Sequence, residues 1–196
     1  VLKPPEEDTP RMGSPWSHPG SMRIDIDGYL DLLEEPEDRH IGLMNLSEVE
    51  EVSDQQARRL AQLLRHRDPE TRAAAARVAG QLRDRTQQFA PQLAPLLRDS
   101  HPSPQLAAMA SLAETGSAGA KYSAAVAALL KSRDAEIQAS AIEALARMNP
   151  EGASAAVLSL SDHPDPRIRE AVAKFMAAVD QEIVRRTALG MGTGKL

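Results

Sequence analysis

The chain contains no cysteine, which excludes a disulfide framework and any thiolate-ligated metal site and fits a cytoplasmic protein. Aromatic residues make up only 3% of it. A core without them must be built from Ala, Leu, Val and Met, small enough to let helices approach closely. No apolar run reaches the roughly 18 residues that would span a membrane, so no membrane partner is expected. The N-terminus carries proline and charge where a secretory signal would carry an apolar stretch. Catalytic patterns are missing too. None of the five histidines (His18, His40, His66, His101 and His163) forms an i, i+4 pair. No serine lies in Gly-x-Ser-x-Gly, and no glycine-rich phosphate loop precedes a helix. Nothing here gives a reason to expect catalysis, a cofactor or a metal, and the histidines are expected as exposed turn residues.

What is present is a period. Leu63-Leu64, Leu96-Leu97 and Leu129-Leu130 recur at one constant interval, and each pair is followed by Asp68-Pro69, His101-Pro102 and Asp134-Ala135. A fourth copy runs from Leu160 to Asp165-Pro166, after a slightly shorter interval. Self-similarity at this spacing is the mark of a solenoid, which offers a surface rather than a pocket.

Each unit divides into two helices. The first buries Leu60, Leu63 and Leu64, then Leu93, Leu96 and Leu97, then Val126, Leu129 and Leu130, then Val157 and Leu160. Offsets of three and four place each set on one helical face. The second helix starts at the Asp-Pro pair, with Asp68, Asp134 and Asp165 as caps and Pro69 and Pro166 at the first helical position. Its buried stripes are Thr71, Ala75, Ala79, Leu82; Ile137, Ala141, Leu145, Met148; and Ile168, Val172, Met176, Val179. In the second copy Ser103 is the expected cap, and Pro95 should bend or shorten the first helix. Ser53-Asp54-Gln55-Gln56 reads as a capping box. Gly116 with Gly119, and Asn149-Pro150 with Gly152, mark the breaks between later units.

The second-helix signatures are Asp68-Pro-Glu-Thr-Arg72-Ala-Ala-Ala75, Asp134-Ala-Glu-Ile137-Gln-Ala-Ser-Ala141 and Asp165-Pro-Arg-Ile168-Arg169-Glu-Ala-Val172. They resemble the HEAT repeat, in particular the short HEAT-like repeats of the phycobilin-lyase type, over roughly residues 54–180. The resemblance implies an all-α fold, a right-handed α-solenoid of about four helical-hairpin repeats that binds proteins along its inner face. Repeat two departs from the pattern, with Pro104-Gln105 where Ile/Val-Arg is expected.

Charge is uneven. From Ile24 to Asp54 there are eleven acids against Arg39 alone, a balance of −10 within a chain of net charge −5. Residues 1–23 balance to zero, which leaves +5 for the rest. Four regions follow. Residues 1–23 are a disordered Pro-rich tail, native or derived from a cloning junction at Gly20-Ser21-Met22. Residues 24–52 form an acidic N-terminal arm, 53–189 the repeats, and 190–196, after Gly190, a frayed end. Within the arm, Asp25-x-Asp27-Gly28 echoes a calcium loop, but Arg23 stands at the first ligand position and opposes it. Tyr29, Leu30, Leu32 and Leu33 instead suggest a short amphipathic helix that caps the first repeat.

The site candidates are cations at repeat spacing. Arg72 and Arg169 begin second helices, with Gln105 and Gln138 at the same place in repeats two and three. Arg65, Arg98 and Lys131 follow the Leu-Leu pairs, and Arg77 lies on the first second helix. The expectation is a non-catalytic protein–protein interaction scaffold whose partner is another protein, with an acidic segment as the favoured ligand. A phycobilin-lyase-like enzyme and a nucleic-acid-binding solenoid are the alternatives. The net charge and the shortage of aromatics weigh against nucleic acid.

Overall fold

In the computed structural model of the chain, residues 25–82 and 85–188 are described, with side chains through 185. Trp16, His18, Arg23, the Gly20-Ser21-Met22 junction, Gly190 and the two terminal segments lie outside the described residues. Every regular element among those described is helical. The α-helices are α1 (Ile26–Leu32), α2 (Arg39–Leu46), α3 (Asp54–Leu63), α4 (Pro69–Gln81), α5 (Thr86–Leu93), α6 (Pro102–Ala113), α7 (Ser123–Ala127), α8 (Ala135–Met148), α9 (Pro150–Leu158) and α10 (Pro166–Ala188). They pair into hairpins that stack into a right-handed α-solenoid. The second helices α4, α6, α8 and α10 pack in succession along it.

The predicted stripes form the core. Thr71, Ala75, Ala79 and Leu82 are buried, as are Ile137, Ala141, Leu145 and Met148. Alanine dominates because neighbouring backbones come close. Gly80 is the extreme case: a Cβ built there would lie 2.5 Å from Ser111 Oγ and 2.9 Å from Ser111 Cα. Leu63, Leu64, Leu96, Leu97 and Leu130 are buried, while Leu129 and Leu160 are only partly so.

The caps follow the sequence in three of four units. Asp68 accepts from Thr71 N at 2.9 Å, and Asp134 from Glu136 N at 2.8 Å. Asp165 accepts from Arg167 N at 2.9 Å. The capping box closes with Gln56 N on Ser53 Oγ at 3.2 Å and Ser53 N on Gln56 Oε1 at 2.9 Å. Repeat two corrects the expectation. Helix α6 starts at Pro102 with His101 in the cap position and no side-chain cap bond, so Ser103 is not the cap. Its turn is held by Asp99, whose Oδ1 accepts from His101 N at 3.0 Å. Pro95 does shorten the preceding helix. Helix α5 gives way to a 3-10 stretch at Ala94–Arg98, because proline cannot donate the α-type bond. The first helix of repeat three is likewise split, with 3-10 turns at Gly116–Tyr122 and Ala128–Lys131 around the short α7. It opens on Gly116 at φ +54, a left-handed conformation that glycine adopts without penalty.

The acidic segment is a helical hairpin in phase with the repeat. Arg39 stands one full repeat interval before Arg72, and Leu30 stands the same interval before Leu63. Helices α1 and α2 pack on each other and on α3 and α4. Leu30, Leu33, Leu46, Val49 and Val52 are buried there. At about 1.5–3 kcal/mol for each buried Leu, this apolar docking outweighs the exposed ion pairs at the same junction. Those pairs are Arg59 with Asp31 and with Glu34, the latter at 3.3 Å.

Candidate interaction surface

The ladder at positions 39, 72, 105, 138 and 169 has a structural task that the sequence only half discloses. At each rung a side chain turns back to a carbonyl in or beside the turn that follows the first helix. Arg39 Nε donates to Leu33 O at 3.0 Å, Arg72 Nη1 to His66 O at 2.7 Å, and Arg169 Nη1 to His163 O at 2.7 Å. Gln105 Nε2 donates to Asp99 O, and Gln138 Nε2 to Leu130 O at 2.8 Å. Among the described residues no backbone N–H outside the helices bonds these carbonyls, so the rung residue satisfies them.

Two of the arginines also reach forward. Arg39 Nη2 bonds Asp68 Oδ2 at 2.7 Å and Thr71 Oγ1 at 3.1 Å. Arg72 grips Asp99 of the next repeat through Nε to Oδ2 at 2.7 Å and Nη2 to Oδ1 at 2.8 Å. The two side chains are 13% and 8% exposed, so solvent screens this pair weakly. The Arg72 hydrogen bond holds the Asp99 carboxyl below the usual carboxylate range, and Asp99 in turn raises the Arg72 guanidinium. Arg72 is therefore occupied inside the solenoid. Its acid belongs to the following repeat and is not its own Asp68.

The other candidates stay on the surface and separate into groups. Arg65, Arg98 and Lys131 are exposed at the ends of three successive first helices, beside the turns to the second helices. Positive charge there also complements the negative end of each helix. Arg169 is exposed at the last rung. Arg77 is exposed on α4, where it lines a trough along the second helices. Two histidines depart from the exposed-turn expectation. His66 and His163 are half-buried, and each Nδ1 accepts a backbone N–H from the second residue after it, Asp68 and Asp165, at 3.1 Å. In the fourth repeat the Arg167 side chain, with its backbone N–H, pulls the Asp165 carboxyl down to about 2. The calcium-loop echo is accounted for locally: Asp25 caps α1 through Gly28 N at 2.9 Å, and Asp27 accepts from Gln56.

Two troughs lie along the C-terminal halves of the second helices. The first, about 600 Å³, is lined by Glu48 and Glu50 after α2, by Arg77 and Gln81 on α4, and by Ala110 and Glu114 at α6. The second, about 430 Å³, lies between α8 and α10, with Arg147, Ala178 and Arg185 among its lining. Glu114 lines the first and Arg147 the second. They are joined by two parallel bonds, Arg147 Nη1 to Glu114 Oε1 at 2.8 Å and Nη2 to Oε2 at 2.9 Å. Glu48, Gln81, Glu114 and Arg147 follow one another at the repeat interval, so this face too is written at the period of the solenoid. The first trough carries three carboxylates against one guanidinium. The sequence reading missed this row, and missed Arg39 as the first rung, although extending the period one unit toward the N-terminus finds both. Among the described residues no group of three His, Asp or Glu is arranged to hold a metal, and no helix is long and apolar enough to cross a membrane.

Comparison with known proteins addresses the fold. Residues 57–125 and 122–189 match the family described as HEAT repeats. No curated protein matches the chain. Among solved structures, an engineered protein determined as a structural-genomics target is similar at TM-score 0.55 and 17% identity, covering 80% of this chain and 79% of that one. A designed armadillo repeat protein, solved in complex with the peptide (KR)4, is similar at TM-score 0.56 and 14% identity, covering 85% of this chain and 90% of that one.

Proposed function

Because the chain belongs to the HEAT-repeat family, we propose that it is a non-catalytic scaffold that holds an extended segment of a partner protein along the face made by its second helices. The observation that carries this reading is the pair of troughs on that face, divided by Glu114 and Arg147. A trough open along its length suits a chain in extended conformation, whose side chains fall alternately into it. Three carboxylates in the first trough favour a segment that brings a basic side chain. In the designed armadillo protein of similar fold the bound molecule is a peptide.

The experiment places a photo-crosslinking amino acid at Gln81 or Ala110, both exposed at the first trough, and at Gln62, exposed on α3. Crosslinks in the native cell to one common partner from Gln81 and Ala110, and none from Gln62, support the reading. Crosslinks from Gln62 alone contradict it.

A second reading rests on the three exposed cations Arg65, Arg98 and Lys131, which repeat at one turn and offer an edge for an acidic segment. Replacing all three with Glu tests it by pull-down of the crosslinked partner. Unchanged recovery excludes the edge and leaves the trough.

A further inference from the structure

The row of forward clamps stops at a half-made one. Arg39 and Arg72 each hold a carbonyl of their own hairpin and then a carboxylate in the turn of the next, Asp68 and Asp99. Arg169 repeats the first half closely. Its Nη1 bonds His163 O at 2.7 Å and Pro164 O at 2.9 Å, where Arg72 Nη1 bonds His66 O at 2.7 Å and Arg67 O at 2.9 Å. The second half is absent: among the described residues no carboxylate meets the Arg169 fork. The same end of the solenoid exposes Leu158 at 44% and Val184 at 67%.

The opposite end of the chain carries the complement. Both forward clamps close on the turn between the first and second helix of the following hairpin. In the N-terminal hairpin that turn is residues 33–38, and it holds Glu35, Glu37 and Asp38. All three are exposed and make no ion pair among the described residues. Glu35 stands one repeat interval before Asp68, the acid that Arg39 holds. Charge agrees over the longer range, with −10 from Ile24 to Asp54 against +5 from 55 to 196.

We propose that this chain associates head to tail with a second copy of itself, the Arg169 edge of one copy closing on the acidic turn 33–38 of the next, as Arg39 closes on Asp68 within the chain. Such a contact joins two different surfaces, so each new copy presents a fresh edge and growth continues past the dimer, into a ring where the rotation per copy closes and into a filament where it does not. It leaves the troughs of the second-helix face free, and so goes beyond the scaffold reading without depending on it.

Sedimentation equilibrium of the full chain over a hundredfold concentration range tests this. At low salt the average mass should pass twice the single-chain mass, and it should fall at high salt, because exposed charges are screened. Arg169→Glu and Glu35→Arg should each sediment as a single chain. Their equal mixture should associate again, since one junction keeps the native pair and the other carries it reversed. Arg169→Gln separates charge from folding. Glutamine already fills this rung at Gln105 and Gln138 and keeps the carbonyl bond, so this variant should fold as wild type and fail to associate. A wild type that stays at single-chain mass throughout overturns the proposal. So does a mixture of folded variants that stays dissociated.

Discussion

Arg72 and Asp99 join the first repeat to the second through two parallel hydrogen bonds, while the same guanidinium holds the His66 and Arg67 carbonyls of its own turn. Its Nε, Nη1 and Nη2 atoms are thereby all engaged inside the solenoid. Arg72→Ala would strand a carboxylate that is 8% exposed and release two carbonyls. The expected loss is about 3–5 kcal/mol, the range for removing one partner of a buried pair. Arg72→Gln should recover part of it, because Gln105 makes the carbonyl bond at the equivalent rung. Urea unfolding of the three proteins checks the order.

The same pair sets a pH dependence. Asp99 titrates below the usual carboxylate range when folded, so its contribution is present above the unfolded value of about 3.9 and is lost as pH falls from there through the folded value. Urea midpoints between pH 6 and pH 2.5 should fall for the wild type. Asp99→Asn should be less stable at pH 6 and should lose less on acidification. Equal acid slopes for the two proteins would show that the clamp does not carry the effect.

At Gly80 two terms oppose each other. Alanine gains about 1 kcal/mol of helix propensity over glycine. The added Cβ would lie 2.9 Å from Ser111 Cα, which is backbone and cannot swing aside. Forced overpacking costs typically about 1–3 kcal/mol, so Gly80→Ala should melt below wild type. A raised melting temperature would mean that α4 and α6 can separate freely at this crossing.

The N-terminal hairpin should be held by burial rather than by charge. Leu33→Ala removes a fully buried side chain at this junction and should cost about 2–5 kcal/mol. Arg59→Ala cuts the exposed pairs to Asp31 and Glu34 and should cost under about 1 kcal/mol. Unfolding both variants at one salt concentration gives the ratio.

Much of this was legible in the sequence, because a stacked repeat writes its packing at a fixed interval. The Leu-Leu pairs, the stripe from Thr71 to Leu82 and the caps at Asp68 and Asp134 all fall where the period puts them. Two kinds of information were hidden. Local backbone departures were one. Nothing in Ser103 announces that Asp99 holds the turn at His101 instead, and the 3-10 turns around α7 follow from a backbone that no hydrophobic pattern records. Contacts between units were the other. An arginine at the start of a helix looks the same whether it faces solvent, the Asp of its own repeat or an acid of the next one, so Arg72 stood among the partner-binding candidates. In the acidic segment the sequence did place Leu30 and Leu33 on a capping helix, and they are buried; what it did not show is that the segment is a whole hairpin in phase with the repeats.

Whether the acidic hairpin is an integral cap or an arm lying on the repeats by charge is read most directly by native-state hydrogen exchange in α1 and α2 at low and at high salt. Docking by Leu30, Leu33 and Leu46 predicts that these amides stay protected alongside those of α4 at both salt concentrations, since screening leaves apolar burial intact. Protection in α1 and α2 that collapses at high salt while α4 is unchanged would contradict it.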